Sequence, residues 1–389
     1  MAVPVHKVET EHGRPPLTVA HVQRLLEWED DPRGVLSVYL NLAVDATNRR
    51  HADLDLAHWR RIFEEEPAHQ GRREPLLAAL DAVDAWLREE YDEANHGAAL
   101  FVPLAAPERL LALQFPPEIR ARWWLHRRPV VRPLLELLDE VRHTLVVEID
   151  RERMRAFGVV FDCVLYETAV EGEPYPVVHD VHAGGYSQAR YQRRKDEEAH
   201  HFWKEFVEEI ERLVQRHRVD AWVLLATEEN QAEFLPYVPE ALRAKLTLTG
   251  PIEAYAPPHE VWARVRTALA AHWKEETMDL VRTYQDRLAH RYRVAAGDAE
   301  VLAAVLEGRA ETVLVAREVE RGARRCPRCG YVFPVDVERC TFDDAATERE
   351  PDLVDVLAHF GYGKPTWRLR FVKREWLGSA PDVGALLRF

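Results

Sequence analysis

What this 389-residue sequence lacks first is a basic surplus: 52 Lys and Arg stand against 66 Asp and Glu, a net charge of -14. Coating nucleic acid through bulk electrostatics needs the opposite balance, so a DNA partner is not expected and any RNA contact must be local. Long apolar runs are missing too. None reaches the roughly 20 residues that span a bilayer, and Met1 to Thr10 has neither a signal-type apolar core nor an Arg-rich amphipathic pattern. The expectation is a cytoplasmic protein with no membrane partner. Cysteine is scarce: of four, three fall within Cys326 to Cys340, too few and too clustered for a secreted disulfide framework. Cys163, standing alone, reads as core packing. There is no Walker phosphate loop, no dinucleotide glycine pattern leaving a strand and no Gly-x-Ser-x-Gly elbow, which removes the commonest nucleotide and hydrolase readings. Internal repeats and low-complexity tracts are also absent.

What is present is enough apolar material for real cores, 47 % of residues, on a length that suggests two or three domains. The first segment, residues 1–142, reads as α+β. It has a helix from Val19 to Glu29, a strand at Val35-Leu-Ser-Val-Tyr-Leu-Asn-Leu, helices over 51–65 and 75–93, strands over 97–103 and 110–115, and a closing helix over 131–142. Residues 143–272 read as α/β: strands at 144–150, 156–161 and 163–168, a long helix ending near His217, then the buried-strand run Ala221-Trp-Val-Leu-Leu-Ala and a further strand at Leu246. A long helical pattern from Pro258 leads into a third segment, 273–389. That segment has a helix over 298–307, strands at 312–316 and 367–372, and an insertion over about 324–348. The fold class expected is α+β and α/β, in three domains.

The stretch with chemical promise is His182 to Lys195. Gly184 and Gly185 admit backbone angles that side chains forbid, and Ser187 can accept a hydrogen bond from the amides opening a helix. Bare backbone can thus approach a ligand. The helix that follows has Ala199, Phe202, Trp203, Phe206, Ile210, Leu213 and Val214 at three- and four-residue steps, one buried face. Its first turns carry Arg190, Arg193, Arg194 and Lys195, cations at the wrong end of the helix dipole, which an anion would relieve. The same residues also read as a solvated, charged helix start after a flexible turn. A second candidate patch, Arg120-Ala-Arg-Trp-Trp-Leu-His-Arg-Arg, interleaves aromatic and cationic residues as stacking-plus-phosphate sites do, although Trp123 and Trp124 read more readily as core. Glu197, Glu198, His200 and His201 fit a solvated helix face better than a metal site.

Cys326-Pro-Arg-Cys329-Gly has the spacing and tight turn of a zinc knuckle. The second half reads Cys340-Thr-Phe-Asp343, with a carboxylate in the fourth-ligand position. Cys326, Cys329, Cys340 and Asp343 are therefore expected to hold a structural zinc. A degenerate ribbon that folds without metal is the alternative. A catalytic zinc is not expected, because no acid-base groups accompany it.

In their order along the chain, three features resemble the archaeal and eukaryotic class-1 peptide release factors and Pelota, in a divergent bacterial branch. His182-Ala-Gly-Gly-Tyr-Ser-Gln-Ala-Arg-Tyr-Gln-Arg-Arg resembles that family's Gly-Gly-Gln loop and the basic helix start after it, and Ala221 to Ala226 resembles the strand that follows. The Ala303-to-Val315 stretch, the cysteine knuckle and Val383-Gly-Ala-Leu-Leu-Arg-Phe resemble its third domain, which in archaeal members carries a zinc ribbon. The resemblance implies a ribosome A-site factor whose central domain meets ribosomal RNA at the peptidyl-transferase centre and whose first domain lies by the decoding centre, with a translational GTPase as a further partner. Two departures qualify it. Tyr186 stands where the family has its catalytic glutamine, and no Asn-Ile-Lys-Ser motif is present, so stop-codon reading is not implied. The resemblance points to a hibernation or stress factor, with Tyr186, Arg190, Arg193, Arg194 and Lys195 on RNA. Gln188, in Gly185-Tyr-Ser-Gln188, keeps a peptidyl-tRNA hydrolase open, with Gln188 and the Gly184 and Gly185 backbone placing a water on the ester.

Overall fold

The computed structural model describes residues 5–13, 16–44, 50–172, 202–252, 256–362 and 367–389. The chain divides into two compact units, one of Met1–Pro15 with Val141–Glu275, the other of Pro16–Glu140 with Glu276–Phe389.

The first unit is a six-stranded sheet covered on both faces. Thr144–Ile149 lies at its centre, parallel to Ala221–Leu225, which is in turn parallel to Leu246–Gly250 at one edge. On the other side Arg153–Val160 and Cys163–Gly172 follow antiparallel, and Val5–Glu11 closes the far edge. Because strand side chains alternate, each apolar run serves two cores. Leu145, Val147, Ile149, Trp222 and Leu224 pack on the helix over 202–216, through its Phe202, Trp203, Phe206, Ile210 and Leu213. Val146, Phe157, Val223 and Leu225 face the other way, against Val261, Trp262, Val265 and Leu269 of the helix Pro258–His290.

A two-residue hairpin joins Arg153–Val160 to Cys163–Gly172 with Phe161 at φ 51 and Asp162 at φ 62, the left-handed pair that matches strand twist. The Trp262 indole N–H donates to the Asp162 carboxylate at 2.6 Å, holding that turn on the long helix. The N-terminal strand is fastened by charge: Lys7 pairs with Glu209 at 2.7 Å, Arg212 with Glu9 at 3.0 Å and Glu209 at 2.7 Å, and Arg216 with Glu9 and Glu11.

The second unit holds three sheets. An antiparallel sheet in the order Leu111–Phe115, Gly97–Pro103, Val35–Asn41, Arg122–His126 carries helices His51–Glu65 and Arg73–Glu89 on one face, with Leu56, Trp59, Phe63, Leu80 and Trp86 in the core between. A mixed sheet runs Val294–Ala296, Val383–Leu387, Ala310–Ala316, Arg368–Val372. A three-stranded sheet of Val332–Phe333, Ala323–Arg325 and Glu348–Glu350 bears the cysteines.

A buried polar knot ties distant segments of this unit. The Arg132 guanidinium donates to Asp352 at 2.6 Å, to Glu136 at 2.8 Å and to the carbonyls of Val319 and Arg317 at 2.9 and 3.1 Å. Asp352 caps helix Leu353–His359 by accepting the Val354 N–H at 2.7 Å. Asp355 does the same for a different helix, Arg132–Glu140: its Oδ1 accepts the N–H groups of Val131 at 2.6 Å and Arg132 at 3.2 Å. Among the described residues no helix is long and apolar enough to cross a membrane.

Candidate functional site

Gly184, Gly185, Tyr186, Gln188, Arg190, Arg193, Arg194 and Lys195 lie outside the described residues, as do Glu197, Glu198, His200 and His201. What the structure describes is their two anchors. The chain leaves at Gly172, the end of a strand paired from Val160 back to Cys163 and from Gly172 to Val5, and returns at 202 in a helix whose Trp203 and Phe206 are fully buried. That helix ends with Arg218 at φ 53 and the Val219 N–H on the Val214 carbonyl at 3.0 Å, a left-handed stop.

The Arg120-to-Arg128 patch is not a free stacking surface. Arg122–His126 is an edge strand, and alternation sends the two indoles to opposite faces. Trp123 packs edge-on against Phe63 at 4.8 Å and His69 at 5.6 Å, whereas Trp124 meets Tyr39 at 5.7 Å. Three of its four arginines are engaged: Arg122 with Glu320, Arg127 with Glu348 at 2.8 Å, and Arg128 with Asp30. Both tryptophans are half-buried, Trp123 packed against the core under the two helices and Trp124 against Tyr39.

The structure does bring Cys326, Cys329, Cys340 and Asp343 together: one ligand atom from each lies within 4.8 Å of all the others. The backbone does this twice with the same device. In the first knuckle the Cys326 N–H bonds to the Tyr331 carbonyl at 2.9 Å and the Gly330 N–H to the Cys326 carbonyl at 2.9 Å. In the second, the Cys340 N–H bonds to the Ala345 carbonyl at 2.8 Å and the Asp344 N–H to the Cys340 carbonyl at 3.0 Å. The fifth residue of each is left-handed, Gly330 at φ 76 and Asp344 at φ 57, conformations that Gly and Asp tolerate best. Asp343 therefore occupies in the second knuckle the place that Cys329 holds in the first.

The distances suit a tetrahedral ion. Sulfurs about 2.3 Å from a zinc-sized centre lie about 3.8 Å apart. Here the Cys329 and Cys340 sulfurs are 3.6 Å apart, and Cys326 Sγ is 3.4 Å from both Asp343 oxygens. Amides already point at the sulfurs, Cys329 N–H to Cys326 Sγ and Phe342 N–H to Cys340 Sγ, each at 3.4 Å. Burial raises the Cys326 thiol, but the Cys329 and Arg328 amides outweigh it and hold the group below its usual range. Burial takes Cys340 the other way, up to about 11. The apolar content around them is meagre, Phe333 with Val337 and Ala345, too little for a core of its own, so an ion here would do the work of one.

Residues 129–272 match the bacterial archaeo-eukaryotic release factor family 10. Over those residues the chain resembles the bacterial archaeo-eukaryotic release factors. The matched span takes in nearly all of the 141–275 part of the first unit, including Gly184 and Gly185, and stops short of the cysteine knuckles. No curated protein matches the sequence. Among solved structures, the chain is similar to an archaeal translation termination factor at 15 % identity, covering 95 % of this chain and 97 % of that one with a TM-score of 0.27. Pelota of Archaeoglobus fulgidus is 11 % identical over 98 % and 95 % of the two chains, TM-score 0.30. Archaeal Pelota from a ribosome-bound assembly with ABCE1 is 12 % identical over 99 % and 96 %, TM-score 0.38. Superpositions this loose say nothing about a site.

The Arg132, Asp352 and Asp355 knot has no sequence signal beyond the cap-like Asp352 before Leu353, since Arg132 stands far upstream of its partners.

Proposed function

We propose that this chain is a ribosome A-site factor of the release-factor type that occupies the site without reading stop codons, as a hibernation or stress factor does. The observation that carries this is the family match over residues 129–272, which spans His182 to Lys195. In this reading Tyr186 stacks on a ribosomal RNA base and Arg190, Arg193, Arg194 and Lys195 meet phosphates. The loss of the family's glutamine at Tyr186 favours occupancy over turnover, and a translational GTPase is the natural delivery partner. The purified chain should co-sediment with bacterial ribosomes, and Arg190→Glu with Arg193→Glu and Arg194→Glu should lower that binding at least tenfold. Equal binding by the triple variant would refute the assignment of the helix start.

Gln188 supports a second reading, peptidyl-tRNA hydrolysis, with Gln188 and the backbone of Gly184 and Gly185 positioning water at the ester. Release of nascent peptide from stalled ribosomes by the wild type but not by Gln188→Ala, with ribosome binding unchanged in both, would decide for it. The cysteine-aspartate cluster is read as a structural zinc site, Cys326, Cys329, Cys340 and Asp343, that folds the ribbon over about 324–348 and takes no part in chemistry.

A further inference from the structure

A cavity of about 200 Å³ opens within the second unit. Trp124, Val130, Pro133 and Leu137 give it apolar walls, and Asp352 and Asp355 also line it. Six acidic side chains line it against four arginines, and three of the four are already engaged: Arg132 with Glu136 and Asp352, Arg122 with Glu320, and Arg317 with Glu140.

Asp355 is the unusual member. It is 4 % exposed, and only its Oδ1 serves the cap of helix Arg132–Glu140. Its Oδ2 is buried and meets no hydrogen-bond partner among the described residues. Capping needs one oxygen, which an asparagine supplies without burying an acid. A second carboxyl oxygen left unpaired in such a place costs on the order of 1–3 kcal/mol. Burial, reinforced by Asp352 nearby, pushes the Asp355 carboxyl up to about 8. A cationic N–H partner would relieve both burdens together.

An anion is disfavoured by the surplus of acids. A hard metal ion wants six or more oxygens, whereas Asp352 spends its oxygens on Arg132, Arg321 and Val354, and Glu136, Glu140 and Glu320 are paired with arginines. A cation on a carbon stem suits both Asp355 and the apolar walls. We propose that this cavity binds a small organic cation, an ammonium or guanidinium on a short apolar stem, donating to the Asp355 carboxyl with its stem against Trp124 and Leu137.

The test is thermal melting and calorimetric titration of the full chain with agmatine, arginine and spermidine as probes, at matched ionic strength set with sodium chloride. At least one probe should raise the Tm of the wild type by several degrees at millimolar concentration while sodium chloride does not. Asp355→Asn keeps an oxygen for the helix cap and should lose the shift. Leu137→Trp fills the cavity, leaves both carboxyls in place and should lose it too, so a folding failure in one variant does not shield the proposal. No shift with any probe in the wild type, or an undiminished shift in either folded variant, overturns it.

Discussion

Acid should weaken the first unit through one imidazole. His143 is 9 % exposed, and its Nε2 lies 3.2 Å from the Tyr166 hydroxyl. Tyr166 is held rigidly, stacked on His217 at 3.7 Å and seated over Gly158, where an added Cβ would come within 2.2 Å of the ring. The Asp220 carboxylate accepts the His143 backbone N–H at 2.9 Å but does not reach the ring. Burial, with His217 acting in the same direction, keeps the imidazole neutral and lowers its pKa to about 4. In the unfolded chain it titrates near 6.5. A folded pKa below the unfolded one means that the unfolded state binds the extra proton, so stability is full above about pH 6.5 and is lost as pH falls toward 4. At pH 5 the loss is about 2 kcal/mol, and it approaches about 3.4 kcal/mol below pH 4. Burial and Arg216 hold His217 low as well, so the wild-type total exceeds the His143 share. The comparison is therefore between variants: urea unfolding of wild type and His143→Gln at pH 8 and pH 5, followed by tryptophan fluorescence. Wild type should lose about 2 kcal/mol more than His143→Gln across that interval. Equal losses would show that His143 is not held neutral by the fold and would refute the argument.

Two further outcomes follow from the second unit. Arg132→Met removes the guanidinium from Asp352, a nearly fully buried carboxylate, and should cost about 3–5 kcal/mol, with Asp352→Asn on the same chain recovering part of it. A cost below about 1 kcal/mol in the same urea titration would mean the pair is not buried as described. Asp343→Cys completes two equivalent knuckles and should bind one zinc that a chelator removes more slowly than from wild type, whereas Cys326→Ser should lose the metal. Metal analysis reads the stoichiometry, and hydrogen exchange over residues 323–350 should show faster exchange only in Cys326→Ser.

Legibility in this sequence follows the range of the interaction that makes each element. Helices His51–Glu65 and Leu353–His359 are readable because an apolar stripe and its breakers lie within one window, and Gly97–Pro103 is readable because every residue of the run is buried. Val5–Glu11 is not. It is an edge strand with Lys7, Glu9 and Glu11 at alternate positions and Val8 55 % exposed, and its partner, Cys163–Gly172, lies across the chain. Arg122–His126 misleads for a related reason: alternating cations and indoles look like a stacking surface until a sheet sends Trp123 and Trp124 to opposite faces and distant acids take the arginines.

The contrast sharpens at two carboxylates. Asp343 is legible as a candidate metal ligand because its place is written in backbone geometry five residues long: a first candidate ligand, a second three positions on, and a left-handed residue after it, in both Cys326–Gly330 and Cys340–Asp344. A ligand can change from thiolate to carboxylate without disturbing that frame, so spacing alone identifies it. Asp355 has an equally ordinary position, one turn into a helix, where an acid beside the N-terminus is unremarkable in sequence. Only the fold shows that it points away from its own helix to cap Val131 and Arg132, and that one of its oxygens then faces no partner among the described residues.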